Sequence, residues 1–166
     1  VRREEVGGEV RARNQFLKEM DGLENKSNPN LPLYVIAATN KPWNLDWGFI
    51  RRFQRRIYVP MPDYYVRIKL FKYFLRGIPK EGIDYEKLAK MTQGYTSSDI
   101  RDICQTALVE VVTELFESGR ATDPSSKPRP LTMDDLIASI KRVRPSVSPE
   151  MIKVYEGWAS PSLWRL

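Results

Sequence analysis

The feature that most constrains the fold is a short apolar run, Leu33 to Thr39, with the sequence LYVIAAT. It is rich in β-branched residues, which is typical of a strand covered on both faces in a parallel sheet. RRIYVPMP, from Arg55 to Pro62, predicts a second, shorter strand that is stopped by prolines. Two strands do not make a stable sheet by themselves. We therefore expect an α/β fold in which most of the sheet lies upstream of Val1.

The segments before this run predict a loop and one helix. VRREEVGG, from Val1 to Gly8, is charged and ends in paired glycines, which predicts an exposed loop. From Glu9 apolar residues recur at near-helical spacing, and Gly22 suits the C-terminal end of that helix. A turn-rich connection, Asn25 to Pro32, leads into the first predicted strand.

After Asp63 the pattern becomes helical throughout, with apolar positions at three- and four-residue spacing. Two of the predicted helices begin at Tyr64 and Tyr85. Two more begin with capping boxes, formed by Thr96 with Asp99 and by Thr132 with Asp135. The last begins after Ser148, with Pro149 in the first helical position. Ser118 to Pro130 is rich in proline and serine and predicts a loop. The chain therefore divides into an α/β part, residues 1–63, and an all-helical part, residues 64–166.

Composition limits the chemistry. The only cysteine, Cys104, lies within the apolar stripe of the longest predicted helix, so no internal disulfide is possible and we expect a packed, unreactive thiol. There is no histidine, so an acid–base step would use carboxylates or water. Lys and Arg number 27 against 21 Asp and Glu. The net charge of +6 favours an anionic partner, although an ordinary charged surface gives the same count. We expect a reducing, cytoplasmic setting.

Polar and basic residues follow the first predicted strand closely. Asn40 directly follows the carboxyl end of the first predicted strand, and ligands of parallel sheets bind at such ends. Asparagine is equally a common turn residue. Arg51 and Arg52 follow a short turn, and guanidinium groups fork onto phosphate oxygens. The same two residues would also suit a solvated basic face. Arg55 and Arg56 lead into the second predicted strand and are better structural candidates.

Several motifs, in order, carry a resemblance to a known family. ATN at 38–40, LD at 45–46 and the arginine pair before Phe53 resemble the second region of homology of AAA ATPases. RRIYVPMPD resembles the meiotic clade, which includes katanin, spastin and the ATPase that disassembles ESCRT-III filaments. RNQFLKEMDG upstream and GYTSSDI downstream match the same family. The resemblance covers nearly the whole chain and is closest to archaeal cell-division versions of the filament-disassembling ATPase.

The resemblance implies a role for each motif. It implies the end of a P-loop AAA large domain followed by an all-α lid domain. The complete protein would act with ATP and Mg²⁺ in a homo-oligomeric, hexameric ring on an ESCRT-III-like filament protein. Asn40 would position the attacking water, and Arg51 and Arg52 would be arginine fingers acting on the neighbouring subunit. Lid residues near the adenine and ribose would be Gly94, Ser97 and Ser98. A pore loop close to the threaded polypeptide would comprise Arg2, Arg3, Glu4, Glu5, Gly7 and Gly8.

The sequence departs from the family pattern in several places. Ile50 stands where the family often has a first arginine, and Ser97-Ser98 replaces a usual Gly-Ala. The loop from Ser118 to Pro130 is too short for the β-sheet insertion of the eukaryotic enzyme, so an activator that docks there is not expected. No G-x-x-x-x-G-K-[ST] motif occurs, so we expect the phosphate and metal ligands upstream and no ATP hydrolysis by this chain alone.

Two alternatives to the filament-disassembly interpretation stay open. An enzyme of the same clade that severs microtubules would carry nearly the same residues. A non-catalytic module that oligomerises or binds anionic partners would suit the chain without a P-loop. Specific nucleic-acid binding is a weaker alternative, because the basic residues show no aromatic stacking platform between them. A membrane would be involved only indirectly.

Overall fold

The computed structural model describes residues 7–26, 34–53, 55–122 and 126–159. The chain divides into two compact units. The first unit comprises Val1–Tyr58 together with Gly157–Leu166, and the second comprises Val59–Glu156. Seven α-helices lie in the described ranges: α1 (Gly7–Lys26), α2 (Trp47–Arg52), α3 (Tyr64–Phe74), α4 (Tyr85–Met91), α5 (Ser97–Glu117), α6 (Met133–Arg142) and α7 (Pro149–Ala159).

Helix α1 is longer at both ends than the sequence predicted. It begins at Gly7, so the prediction of a loop through Gly8 was wrong, and it continues past Gly22 to Lys26. Gly22 lacks the positive φ of a helix-ending glycine. The residues that follow it include Glu24 and Lys26, which are good helix formers, and the helix continues through them.

The parallel strands are not confirmed in the described residues. Residues 34–39 and 55–63 have no regular secondary structure and form no strand ladder. Ile36 is 92% exposed and Ile57 is 85% exposed, whereas a central strand would bury both. An apolar extended segment becomes a strand only when neighbouring strands satisfy its amides and carbonyls. The described residues contain no such neighbours.

Helix α2 was predicted only as a turn. A short 3₁₀ turn, Pro42–Asn44, precedes it, and Asp46 is its N-cap. The Oδ1 of Asp46 accepts a hydrogen bond from the backbone N–H of Phe49 at 3.2 Å. This side chain satisfies one of the free amides of the first turn, which allows a helix of only six residues to form.

The second unit is a helical domain built around α5. Its core contains Phe71 and Leu75 near the end of α3, Leu88 of α4, and the inner face of α5 including Ile100. Predicted apolar positions at the margin of the α5 stripe lie outside this core, since Phe116 is 67% exposed. The helix starts are confirmed: α5 carries the capping box of Thr96 and Asp99, α6 that of Thr132 and Asp135, and α7 begins with Pro149.

Cys104 lies in this core, as predicted, with only 1% of its surface exposed. Burial raises the pKa of the Cys104 thiol to about 12, so the nucleophilic thiolate is almost absent at neutral pH. The loop after α5 contains a 3₁₀ turn, Arg120–Thr122. Farther along, Lys80 and Leu131 form an isolated parallel bridge, which joins the loop to the α3–α4 connection. Within the described ranges, no helix combines the length and apolar character needed to cross a membrane.

Candidate functional site

Helix α2 places Arg51 and Arg52 in its last turn. The ring of Phe49 stacks on Phe16 of α1, with ring centroids 5.9 Å apart and an interplanar angle of 23°. A Cβ at Gly48 would lie 3.2 Å from Leu17, so the two helices approach closely at this glycine. Aromatic stacking and the close approach hold α2 against α1 within the first unit.

The guanidinium of Arg52 is held by α1. Its Nε donates to Oδ1 of Asp21 at 2.6 Å, and its Nη2 donates to Oδ2 of the same carboxylate. Its Nη1 donates to the carbonyl of Gly48 at 2.8 Å. The hydrogen bonds from Arg52 hold the pKa of Asp21 below its ordinary value. Two parallel bonds to one carboxylate fix the plane of the guanidinium as well as its position.

Arg51 has a different environment. Its side chain is exposed, and among the residues that the structure describes it has no hydrogen-bond or ion-pair partner. Arg56 is anchored instead, because its Nη2 donates to the carbonyl of Ile50 at 2.9 Å. Near the end of α2, therefore, Arg51 is exposed to solvent, Arg52 is oriented by a carboxylate, and Arg56 donates a hydrogen bond to a backbone carbonyl.

Asn40 lies in a bend and is exposed. The backbone N–H of Lys41 donates to Oγ1 of Thr39 at 3.0 Å, and this contact turns the chain directly beside the asparagine. Asn40, Arg51 and Arg52 all belong to the first unit. Of the predicted pore-loop residues, Gly7 and Gly8 form the start of α1, whereas Arg2 to Glu5 lie outside the described residues.

The predicted lid residues lie in the second unit, at the turn into α5. Gly94 has φ +83°, a conformation that favours glycine, and the space where a Cβ would stand is open. Ser97 and Ser98 are exposed in the first turn of α5. The structure thus brings these three residues to one exposed turn.

This turn is fixed from two sides. The hydroxyl of Tyr95 donates to the carbonyl of Val143 at 3.0 Å. Asp99 accepts from the backbone N–H of Thr96 at 2.8 Å and from that of Ser146 at 3.2 Å. Burial raises the pKa of Asp99, but these hydrogen bonds outweigh it and leave the pKa below its ordinary value. The carboxylate therefore stays charged and holds the start of α5 against the α6–α7 connection.

Sequence reasoning missed two residues that shape these regions. Asp21 orients Arg52 from 31 positions upstream, and no local pattern marks it. Arg67 is buried, with its Nε donating to the carbonyl of Ala89 at 3.0 Å and its Nη1 to that of Pro62 at 2.8 Å. In the ranges described, no cluster of three or more histidine, cysteine or acidic residues is placed to hold a metal ion.

Three family models match the chain in consecutive order. The ATPase family associated with various cellular activities (AAA) matches residues 2–61, the AAA+ lid domain matches 82–126, and the Vps4 C terminal oligomerisation domain matches 121–161. The chain belongs to the AAA ATPase family. The α2 arginines of this AAA chain fall within the first match, and the turn around Gly94 falls within the second.

Relatives of this AAA chain include Cell division protein C of Sulfolobus acidocaldarius, 51% identical over 154 residues, which span 93% of this chain and 40% of the relative. Spastin of Drosophila melanogaster is 37% identical over 90% of this chain and 20% of its own length. The chain thus spans less than half of these relatives.

Two solved structures have the same fold. The FIGL-1 AAA domain in complex with ADP aligns with a TM-score of 0.76 and 28% identity over 90% of this chain and 51% of that one. A structure described as the structural basis for katanin self-assembly aligns with a TM-score of 0.75 and 33% identity. The alignment covers 90% of this chain and 52% of that one. The likeness extends to an AAA domain with its lid.

Proposed function

We propose that the chain is part of an ATP-hydrolysing AAA ring that remodels or disassembles ESCRT-III-like filaments in membrane scission or cell division. The observation that carries the proposal is the end of α2, where an exposed arginine, Arg51, adjoins a second arginine whose plane is fixed by Asp21. The similarity to Cell division protein C and the match to the Vps4 C terminal oligomerisation domain support it.

Arg51 and Arg52 are proposed to act as arginine fingers on the neighbouring subunit. Guanidinium groups stabilise the negative charge that develops on transferring phosphoryl oxygens. Arg51 projects into solvent and is free to reach a phosphate, while the hydrogen bonds to Asp21 and Gly48 limit the positions that Arg52 can adopt. A site completed by the next subunit makes turnover depend on assembly, and we propose a homo-oligomeric, hexameric ring.

Asn40 is proposed to position the attacking water through its side-chain amide, which is exposed at a bend. ATP would supply the transferred phosphoryl group, and Mg²⁺ would neutralise charge on its oxygens. We propose that the phosphate and metal ligands lie upstream, because the sequence contains no G-x-x-x-x-G-K-[ST] motif. In the complete domain, residues 33–39 and 55–62 would pair with further strands of a parallel sheet.

The remaining parts follow the same proposal. Residues 1–63 would be the end of the large domain, and residues 64–166 the lid with its C-terminal helix. The open space at Gly94 and the exposed hydroxyls of Ser97 and Ser98 suit a contact with the adenine and ribose. The pore loop would comprise Arg2, Arg3, Glu4, Glu5, Gly7 and Gly8, acting on the threaded polypeptide in the cytoplasm.

A mixing experiment tests the fingers in the complete protein. We expect Arg51→Ala/Arg52→Ala to bind nucleotide but to lose hydrolysis, and we expect the same of Arg52→Ala alone. A variant with a mutated P-loop should also be inactive. Mixing the two should restore part of the activity, because intact fingers then face intact nucleotide sites. Arg55→Ala removes the same kind of charge nearby and should turn over normally. Normal turnover by the double variant, or no recovery on mixing, would contradict fingers acting in trans.

A second candidate function is microtubule severing, which the likeness to spastin and to katanin favours. Sedimentation assays with ESCRT-III-like filaments and with microtubules distinguish filament disassembly from microtubule severing. Filaments of an ESCRT-III-like protein should lose pelletable mass when the complete protein and ATP are added, and microtubules should not. A module that only oligomerises or binds anionic partners would change neither polymer and would show no ATP turnover at any protein concentration.

A further inference from the structure

The outer face of α3 carries basic and aromatic side chains in one stripe: Tyr65, Lys69, Lys72, Tyr73 and Arg76, which lies in the turn after the helix. We call this stripe the basic face of α3. At 100° per residue these positions fall within an arc of about 100° on one side of a helix. All five are exposed, with Tyr65 at 72% and Tyr73 at 64%. The opposite side of α3 enters the core through Phe71.

Within the described part of the chain, the cations of the basic face have no carboxylate partner. The sequence of α3, YYVRIKLFKYF, contains no acidic residue. Among the described residues, neither lysine nor the arginine forms an ion pair. Three other exposed arginines of the second unit do pair with acids: Arg101 with Asp102, Arg129 with Glu114 and Asp135, and Arg142 with Glu110. The basic face is therefore a local concentration of uncompensated positive charge.

Aromatic rings of the same unit hold two of these cations in place. The Nζ of Lys72 lies 5.6 Å from the ring centroid of Tyr85, and the guanidinium carbon of Arg76 lies 5.7 Å from that of Tyr73. A cation over a ring is attracted by the ring's negative face, so the lysine and the arginine have preferred positions at the surface.

We propose that the basic face of α3 docks an acidic helical segment of a partner protein. Lys69, Lys72 and Arg76 follow the i, i+3, i+7 spacing of one helix face. They extend over about 10 Å along the axis, so they match carboxylates at the same spacing on a second helix. The exposed tyrosines supply apolar contact beside the charges. This surface lies outside the α2 arginines and the Gly94 turn, and the proposal does not depend on ATP hydrolysis.

A labelled alanine-based helical peptide tests the proposal, with glutamates at i, i+3, i+7 and i+10. A peptide of the same composition with the glutamates spread around the helix is its control. The full 166-residue chain should bind the first peptide more tightly. Lys69→Ala/Lys72→Ala/Arg76→Ala should weaken that binding about tenfold, since exposed ion pairs contribute up to about 1 kcal/mol each. Lys141→Ala/Arg144→Ala/Lys153→Ala removes the same charge from other exposed positions and should weaken it less than about twofold.

The other outcomes overturn the proposal. An equal loss of peptide affinity in both triple variants would mean that net charge alone attracts the peptide. Equal affinity for the two peptides would show that the helical spacing of the glutamates does not matter. The same chain is also titrated with an oligo-dT strand and with phosphatidylserine vesicles. If either binds more tightly than the peptide through the basic face, a nucleic acid or a membrane is the occupant instead. Far-UV circular dichroism of both variants should match that of the unsubstituted chain.

Discussion

The carboxylate of Asp21 accepts two hydrogen bonds from the guanidinium of Arg52, across 31 positions of sequence. Arg52 is thereby oriented by α1, while its neighbour Arg51 has no such contact in the described part of the chain. If both arginines act on a neighbouring nucleotide, Asp21 is a positioning residue, because it acts through Arg52 and not on the phosphate itself.

We expect Asp21→Asn to lower ATP turnover by the complete protein about tenfold. The amide keeps the shape of the side chain but loses the charge and one acceptor, so Arg52 gains orientations that do not reach the phosphate. The substitution should lower kcat while leaving the KM for ATP within about twofold. A merely structural role would lower the amount of folded enzyme and not the turnover of the folded fraction. Glu19→Gln, the same kind of change two positions away, should leave kcat unaltered.

Two glycine substitutions should have opposite effects on the first unit. Gly22→Ala places a methyl group in open space within α1 and should raise the free energy of unfolding by about 0.5–1 kcal/mol. Gly48→Ala places a Cβ 2.9 Å from Oδ1 of Asp46 and 3.2 Å from Leu17, so the cap of α2 or its packing on α1 has to shift.

We expect Gly48→Ala to lower the melting temperature of the complete protein and Gly22→Ala to raise it slightly. Differential scanning calorimetry measures both. Two shifts of the same sign would show that α2 does not pack on α1 as closely as the structure indicates.

Arg67→Met should destabilise the second unit. It keeps an apolar stem but leaves the buried carbonyl of Ala89 and the part-buried carbonyl of Pro62 without their donors, at a cost of about 2–3 kcal/mol. Lys69→Met makes the same kind of change at an exposed position of the same helix and should cost less than about 0.5 kcal/mol. Urea unfolding of both variants gives the comparison, and equal midpoints would contradict the role of Arg67 as a buried donor.

The contribution of Arg129 should depend on pH. It donates to both carboxylate oxygens of Asp135, at 2.7 and 2.8 Å, and to both of Glu114 at the same two distances. These bonds lower the pKa of Asp135 and of Glu114 in the folded state. A group with a depressed folded pKa stabilises the fold above its unfolded pKa, about 4 for these carboxyls, and loses that effect as the pH falls further.

Arg129→Gln should therefore lower the free energy of unfolding by about 1 kcal/mol at pH 7, an amount limited by the exposure of the pair. The difference between variant and unsubstituted chain should shrink as the pH falls from 4 towards 2. Chemical denaturation at several pH values measures it. Arg101→Gln removes only the exposed ion pair with Asp102. Its free energy of unfolding should differ little from that of the unsubstituted chain at either end of the pH range. A difference for Arg129→Gln that stays constant with pH would exclude the carboxylates as its cause.

Local signals in the sequence determined the helices of the second unit. The Thr96–Asp99 and Thr132–Asp135 capping boxes, and Pro149 in a first turn, each act over three or four residues, so they are visible without a structure. The burial of Cys104 followed from its place in an apolar stripe for the same reason. The motifs that carry the family resemblance are likewise short and contiguous, and the family assignment they implied is confirmed.

Tertiary structure alone decided what depends on distant partners. Residues 34–39 have the composition of a buried strand, but without neighbours to complete its hydrogen bonds the segment is exposed and forms no strand. Arg51 and Arg52 are adjacent and chemically identical, yet only Arg52 is fixed by Asp21, because α2 packs against α1. In the sequence, Arg67 resembles an ordinary surface arginine. In the structure it is buried, because two backbone carbonyls from other segments accept hydrogen bonds from its guanidinium. Periodicity and capping act within a few residues, whereas these states depend on groups that only folding brings together.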